Sequence, residues 1–196
     1  MARQARAQAT RQRLLHATTE ALVECGYAGT TTQEVCRRVN CSRGTLLYHF
    51  PTREDLLVAA LHFVLSNRVE DFVAEHHKRT DMDTAAFLES LWQQWQGPAL
   101  VAWLELAVAA RSNPGLREPM RQTMQDFEQQ ILTAFRTLKP LGELATSVEA
   151  VIPFFVFAVL NGLSVGLSYA DASKAAPILE LMTRLGDDLK IKEASR

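Results

Sequence analysis

Small, hydroxyl and basic side chains cluster at the predicted start of a short helix. Ser42 is placed to cap this helix, and Arg43, Gly44 and Thr45 open it. An arginine guanidinium can bridge the two major-groove acceptors of guanine, and the free amides at a helix start suit phosphate oxygens. Gly44 would let the helix backbone approach a ligand closely. The pattern predicts insertion into a DNA groove, with a helical hairpin that has no DNA role as the alternative.

Two short helices must position these side chains. Thr31 begins the first with the spacing of a capping box, in which its hydroxyl accepts from the Glu34 amide while Glu34 reaches back. That helix ends near Val39, and a turn at Asn40 leads into the second, which ends near Phe50 before a proline. Two short helices joined by such a turn predict a helix-turn-helix.

Motifs on both sides of this segment occur in a recognisable order. They are Gly26-Tyr27, Gly29-Thr30-Thr31, Ser42-x-Gly44-Thr45-Leu46, Tyr48-His49-Phe50 and Thr52-Arg53-Glu54-Asp55-Leu56-Leu57. In this order and spacing, residues 10–60 closely resemble the N-terminal domain of tetracycline-repressor (TetR) family regulators. The resemblance implies a DNA-binding transcriptional regulator and leaves little room for the hairpin alternative.

The resemblance also implies a set of DNA contacts at matching positions. These are Thr31, Ser42, Arg43, Gly44, Thr45, Tyr48, His49 and Arg53. Residues 42–45 resemble the DNA-facing start of the recognition helix, and the other four resemble phosphate contacts. Leu47 departs from the family, which commonly has a second tyrosine there. The turn also departs, with Asn40 in place of the usual glycine, but asparagine tolerates the left-handed conformation.

The charge of the chain is unevenly distributed. Residues 1–55 hold eight Arg and five acidic residues (8 − 5 = +3), and the remainder holds 13 basic and 17 acidic residues (13 − 17 = −4). A small basic head on an acidic body suits a polyanion-binding unit joined to a body with another role.

The three cysteines lack the spacing of a disulfide framework or a zinc site. We expect Cys41 to be a small apolar packing residue, with redox sensing as the minor alternative. The N-terminus lacks the apolar run of a signal peptide, which predicts a cytoplasmic protein.

The whole chain predicts an all-α fold of about nine helices. We expect an N-terminal three-helix helix-turn-helix DNA-binding domain (residues 1–52) and a C-terminal helical ligand-binding and dimerisation domain (residues 53–196). The first helix should end near Cys25, with Gly26 as its stop, and the fourth should run from Thr52 towards Arg79. Five further helices are predicted at about 84–96, 98–112, 114–138, 147–170 and 174–190.

A stretch of 21 uncharged residues, 150–170, is long enough to cross a bilayer. Its polar residues and flanks favour a buried helix of a soluble bundle instead. Gly162 and Gly166 form a Gly-x-x-x-Gly pair that allows close helix packing. The family resemblance implies a two-fold dimer, and we place Phe157, Asn161, Gly162 and Gly166 in its interface.

The resemblance implies an effector pocket in the body as well. The aromatic candidates for its lining are Trp92, Trp95, Trp103, Phe127 and Phe155, although each is also explained as plain core. Glu105 and Arg111 could be polar pocket groups or could pair with other charges. A small apolar or amphipathic effector would suit such a pocket.

These features predict a homodimeric repressor of a palindromic operator, released by a small-molecule effector. The alternative is a ligand-insensitive DNA-binding dimer that acts as an activator or with a protein partner. An enzyme is not expected, because the sequence has no phosphate loop, nucleophile elbow or metal-spaced cluster. No cofactor, no metal and no membrane association are predicted.

Overall fold

The computed structural model describes residues 2–76, 83–138, 146–167, 169 and 171–194. Within these residues the chain forms nine α-helices, one short 3₁₀ helix and no strand. The helices are α1 (Ala2–Gly29), α2 (Thr32–Val39), α3 (Arg43–His49), α4 (Arg53–His76), α5 (Thr84–Trp95), α6 (Pro98–Ser112), α7 (Pro114–Leu138), α8 (Thr146–Leu167) and α9 (Ala175–Ala194), with the 3₁₀ helix at Ala172–Lys174. The predicted all-α class is confirmed.

Proline and capping residues place most helix boundaries where the sequence predicts them. Pro98 and Pro114 begin α6 and α7 because proline is favoured in a first helical turn. Gly26 breaks the helical backbone with φ 66° and ψ −177°, but a further turn continues to Gly29. The predicted stop is therefore a kink inside α1. The predicted end of α4 at Arg79 lies outside the described residues.

The chain divides into two compact units, and α4 and α7 contribute residues to both. Unit 1 comprises Met1–Asn67 with Gly97–Phe127, and unit 2 comprises Arg68–Gln96 with Glu128–Arg196. The predicted boundary at residue 52 is a division by function and stays a prediction.

Unit 1 is built around a core shared by its first four helices. The buried side chains of this head core are Leu14, Leu15, Ala17, Val35, Val39, Leu46, Phe50, Leu56 and Ala60. α1 packs against both α2 and α6. Since Leu46 and Phe50 fix one face of α3 in this core, the opposite face of that short helix must point outward.

Unit 2 has its own core among α5, α8 and α9. Its buried residues are Leu88, Trp92, Leu160, Leu163, Leu179 and Met182. The segment Val148–Leu167 of α8 is long and apolar enough to span a membrane, yet only 22% of its most apolar window is buried in the chain. A single chain therefore leaves one face of α8 exposed, and burial of that face in a helical bundle stays a prediction.

Candidate nucleic-acid interface

α2 begins with half of the predicted capping box. The Thr31 hydroxyl accepts a hydrogen bond of 3.1 Å from the Glu34 amide. The Glu34 carboxylate does not reach back, because it binds the guanidinium groups of Arg37 and Arg38 at 2.7–2.8 Å. Three hydrogen bonds from charged guanidinium groups are stronger than one from a neutral amide, which explains the difference from the prediction.

The turn between α2 and α3 is a Schellman motif. Asn40 adopts the predicted left-handed conformation, with φ 55° and ψ 55°. The Asn40 amide donates to the Arg37 carbonyl at 3.3 Å, and the Cys41 amide donates to the Cys36 carbonyl at 3.1 Å. Cys36 and Cys41 are half-buried against the head core, as expected of packing residues. Burial, followed by the hydrogen bond with Cys41, raises the pKa of the Cys36 thiol to about 11.

α3 presents its predicted DNA-facing side chains to solvent. The Ser42 hydroxyl caps the helix by accepting from the Thr45 amide at 3.1 Å. Leu46 is fully buried in the head core, whereas Arg43, Gly44 and Tyr48 are exposed. Within the described residues the Arg43 guanidinium has no hydrogen-bond partner. It is therefore free to bind a ligand.

The other predicted contacts surround this exposed face. Thr31 is exposed at the start of α2. His49 is half-buried and lies edge-to-face against Tyr48, with ring centroids 5.1 Å apart. Leu47, which replaces the usual tyrosine, is also exposed. Whether these side chains touch DNA stays a prediction.

Arg53 is held by the protein at the start of α4. Its Nε donates to the Thr30 carbonyl at 2.8 Å, and a terminal nitrogen donates to the Tyr27 carbonyl. The guanidinium also lies over the Tyr27 ring, 4.2 Å from its centroid. Thr52 and Asp55 form a reciprocal capping box beside it: the Asp55 amide donates to the Thr52 hydroxyl at 3.0 Å, and the Thr52 amide donates to the Asp55 carboxylate at 3.1 Å. Arg53 thus fastens α4 to the end of α1, and its phosphate contact stays a prediction.

Tyr27 joins α1 to α6 and α4 through hydrogen bonds that could not be predicted from the sequence. Its amide donates to the Glu105 carboxylate at 2.6 Å, across 78 residues of sequence. Its hydroxyl accepts at 3.0 Å from the Asn113 amide nitrogen, which also lies 3.3 Å from a Glu54 carboxylate oxygen. Glu105, a candidate pocket group in the sequence, therefore stabilises the head.

The net positive charge of the head lies on the first turns of α1. Residues 14–55 hold four Arg and five acidic residues (4 − 5 = −1), whereas residues 1–13 hold four Arg and no acid (+4). Arg11 lies over the Phe50 ring at 5.1 Å, and Arg13 donates to the Val39 carbonyl at 2.7 Å. These contacts set the N-terminal part of α1 beside the turn and the C-terminal end of the helix-turn-helix. Arg6, one to two turns earlier, is exposed.

Glu34→Gln should remove a pH-dependent contribution to the stability of the head. Hydrogen bonds from Arg37 and Arg38 lower the pKa of Glu34 from 4.5 to about 2. A lowered folded-state pKa stabilises the fold above the unfolded value, and this stabilisation is lost as the pH falls through the folded value. Denaturant titrations of the wild type and the variant should therefore differ by a constant amount above pH 4.5 and converge towards pH 2. A difference that is independent of pH would contradict this assignment.

Comparison with known proteins identifies the family. The family model described as "Bacterial regulatory proteins, tetR family" matches residues 14–60. An uncharacterised HTH-type transcriptional regulator of Mycobacterium tuberculosis is 30% identical over 165 residues, which cover 83% of this chain and 84% of the relative. This chain belongs to the TetR family. It is a DNA-binding transcriptional regulator of the helix-turn-helix type, and its curated relatives are regulators rather than enzymes.

Solved structures share the TetR-family fold over nearly the whole chain. A TetR-family regulator from Rhodococcus sp. superposes with a TM-score of 0.66 at 23% identity, covering 92% of this chain and 98% of that one. A regulator from Saccharomonospora viridis, solved in complex with choline, gives 0.63 at 21% identity, with 92% and 95% covered. The multidrug binding protein EbrR, solved with imidazole, gives 0.64 at 22% identity, with 89% and 88% covered.

The five candidate pocket aromatics of this TetR-family chain are distributed over both units. In unit 1, Trp103 is half-buried and Phe127 is buried. In unit 2, Trp92 is buried in the core and Trp95 packs edge-to-face on Phe157, with centroids 5.0 Å apart. Phe155 lines an apolar cleft in unit 2 together with side chains of α5, α7, α8 and α9. The cleft volume is about 60 Å³, far below the roughly 300 Å³ at which ligand pockets begin.

The four candidate interface residues fall on two sides of α8. Asn161 is buried in its own chain and donates to the Phe157 carbonyl at 3.0 Å. Gly162 and Gly166 face open space, with no atom within 4 Å of where a Cβ would lie. Val151 and Phe154, two to three helical turns before Gly162 on α8, are exposed large apolar side chains that were not among the predicted interface residues.

Proposed function

We propose that this TetR-family regulator is a homodimeric repressor that binds a palindromic operator through two α3 helices and is released by a small-molecule effector. One observation carries the DNA half of the proposal. Leu46 anchors α3 in the head core, while Arg43, in the first turn of the same helix, is exposed and has no hydrogen-bond partner among the described residues. A short helix held in this way can enter a major groove about 12 Å wide.

We assign the base contacts to the start of α3 and the phosphate contacts to its flanks. Arg43 and Thr45 would read base edges, and Ser42 and Gly44 would allow the close approach. Thr31, Tyr48, His49 and Arg53 would bind phosphates. Leu47 would offer only apolar contact, so the hydroxyl contact usual in the family would fall to Tyr48.

Selection of bound fragments from random double-stranded DNA tests the proposal. A homodimer with two recognition helices should enrich an inverted repeat whose half-sites are one helical turn apart, ~34–36 Å. An asymmetric site or a single half-site would contradict the symmetric dimer. Failure to enrich any sequence would contradict specific DNA binding.

Arg43→Ala should weaken operator binding by about 1–3 kcal/mol and relax base preference at one position of each half-site. The reason is that a guanidinium bridging two guanine acceptors contributes both affinity and discrimination. Binding to a set of single-base operator variants measures both effects. Equal weakening on every sequence would instead make Arg43 a phosphate contact.

Arg6→Ala should lower the salt dependence of DNA binding and leave base preference unchanged. The head has a net charge of −1 outside its first 13 residues, so the cations of early α1 must supply much of its attraction for DNA. The slope of log affinity against log salt should fall by about one for each Arg6 bound. Arg184→Ala is the control, because that side chain binds Glu180 on α9 in unit 2. An unchanged slope would exclude Arg6 from the interface.

We place the dimer interface on the open apolar faces of α8 and α9. Val151, Phe154 and Gly162 follow one another at helical spacing on α8, and Leu181 and Leu185 do so on α9. An exposed apolar surface of this kind marks an interaction site, and two helices with their symmetry mates form a four-helix bundle. Gly162 and Gly166 remain in the proposed interface. Phe157 and Asn161 would lie on the side of α8 that packs within its own chain and would support the interface without contacting the partner.

The proposal of a small-molecule effector rests on the apolar character of unit 2 and on solved structures that share the fold. Two of those structures were solved with choline and with imidazole. We infer a small apolar or amphipathic effector for this chain, and its pocket must open beyond the present cleft. α4 runs unbroken from the head into unit 2, so an effector that favours one position of α4 would change DNA affinity.

A ligand screen separates this mechanism from the ligand-insensitive alternative. Compounds that raise the melting temperature of the protein should also release it from the selected operator at physiological ionic strength. Compounds that bind without any change in operator affinity would favour the alternative, a DNA-binding dimer acting as an activator or with a protein partner.

A further inference from the structure

Cys36 and Cys41 lie at the two ends of the turn that joins α2 to α3. In a Schellman motif the residue three positions inside the helix contacts the residue just beyond the left-handed one, and this contact is usually apolar. Here those residues are Cys36 and Cys41, which the left-handed Asn40 and the 3.1 Å backbone bond bring together. Both side chains pack against the head core and are only half-buried.

We propose that Cys36 and Cys41 form a redox-active thiol pair, which a low-molecular-weight disulfide such as oxidised glutathione converts into an intrachain disulfide that weakens DNA binding. Formation of the disulfide is independent of the proposed function. Its effect on an operator rests on that function.

The reaction proceeds in two balanced exchanges. The Cys41 sulfur attacks one sulfur of oxidised glutathione, breaking its disulfide bond and releasing one glutathione thiol that takes up the Cys41 proton. The Cys36 sulfur then attacks the Cys41 sulfur of this mixed disulfide and releases the second glutathione, which takes up the Cys36 proton. Two protein thiols are oxidised and one glutathione disulfide is reduced to two thiols. We assign the first attack to Cys41 because burial raises the pKa of the Cys36 thiol.

The position of the pair connects this chemistry to α3. A disulfide bond of about 2.05 Å is much shorter than the separation of two non-bonded sulfur atoms, so its formation draws the two side chains together and pulls Cys41 towards α2. Ser42 follows Cys41 directly and caps α3, and Arg43 comes next. The start of the recognition helix must therefore move when the disulfide closes. Base contacts are sensitive to such movement because their hydrogen bonds need close alignment.

The test uses the full chain with its exposed thiol removed. Cys25 is exposed on α1 and could form disulfides between molecules, so the reference protein is the Cys25→Ala variant. After treatment with oxidised glutathione, we expect its mass to fall by two hydrogens, both thiols to disappear and no covalent dimer to form. Operator affinity should fall about tenfold and return with dithiothreitol, while circular dichroism shows an intact helical fold.

Two further variants serve as controls. Cys25→Ala/Cys36→Ala should take up one glutathione at Cys41 and give no species that has lost two hydrogens. Cys25→Ala/Cys36→Ala/Cys41→Ala should keep its operator affinity under the same treatment.

Three results would overturn the proposal. Stable glutathione adducts without an intrachain disulfide, or thiols that do not react, would show that Cys36 and Cys41 are not a redox-active pair. A closed disulfide with unchanged operator affinity would exclude the effect on DNA. If the reduced protein binds no operator, the proposed function fails, whereas loss of two hydrogens would still establish the thiol pair.

Discussion

Phe154→Glu is expected to convert the regulator from a dimer to a monomer. Phe154 is 59% exposed on the open apolar face of α8, where a second copy would bury it. Near a two-fold axis the substitution places two carboxylates close together in an apolar contact. Dimerisation would then have to bury two charged groups and overcome the repulsion between them. Light scattering should report the monomer mass. Affinity for the full palindrome should fall by about 10²–10⁴, because linked binding of two half-sites is lost.

Val108→Glu is the matched control for this experiment. Val108 is an apolar residue of similar exposure, 66%, but it lies on α6 in unit 1. This variant should stay dimeric and keep its affinity for the operator. If Phe154→Glu remained a dimer, the interface would lie elsewhere. If the wild-type protein instead sedimented with lipid vesicles and the variant did not, the apolar face of α8 would be a membrane contact.

The sequence predicted the helix-turn-helix well because its determinants are local. The Ser42 cap, the left-handed Asn40 and the paired caps of Thr52 and Asp55 act over three to five residues, and each forms its hydrogen bonds in the structure. Proline and glycine similarly mark the starts of α6 and α7. Local rules failed at Glu34, where two nearby arginines are stronger partners than the backbone amide, and at Gly26, where α1 kinks and continues instead of ending.

Contacts between distant segments could not be predicted in this way. Nothing in the sequence near Tyr27 indicates that Glu105 and Asn113 will bind it, and Arg53 matched a phosphate contact in the family pattern although the protein holds it from two sides. The direction of each side chain around α8 was also undetermined. An apolar helix has no polar face to mark its orientation, so Phe157 and Asn161 could not be separated from Phe154 by pattern alone.

Gly26→Ala is expected to have the largest effect on the stability of the head. With φ 66° and ψ −177°, Gly26 occupies a backbone region open almost only to glycine, and a side chain there costs about 1–3 kcal/mol. An added Cβ would lie 3.0 Å from a Glu105 carboxylate oxygen. That carboxylate accepts the hydrogen bond from the Tyr27 amide, and losing such a charged bond costs a further ~1.5–3 kcal/mol. Denaturant titration of the full chain should show the combined loss.

Gly44→Ala is the matched control, and it separates stability from DNA binding. Gly44 lies in α3 with no positive φ, and the nearest atom to an added Cβ is the Ser42 hydroxyl oxygen at 3.7 Å. Alanine there should leave the fold as stable or make it more stable by up to about 1 kcal/mol, since glycine is unfavourable inside a helix. Because the protein has room for the methyl group, any loss of operator affinity must arise at the DNA. A Gly26→Ala protein as stable as Gly44→Ala would mean that the kink in α1 is not fixed by its backbone conformation. Full operator affinity in Gly44→Ala would mean that α3 does not approach DNA at this residue.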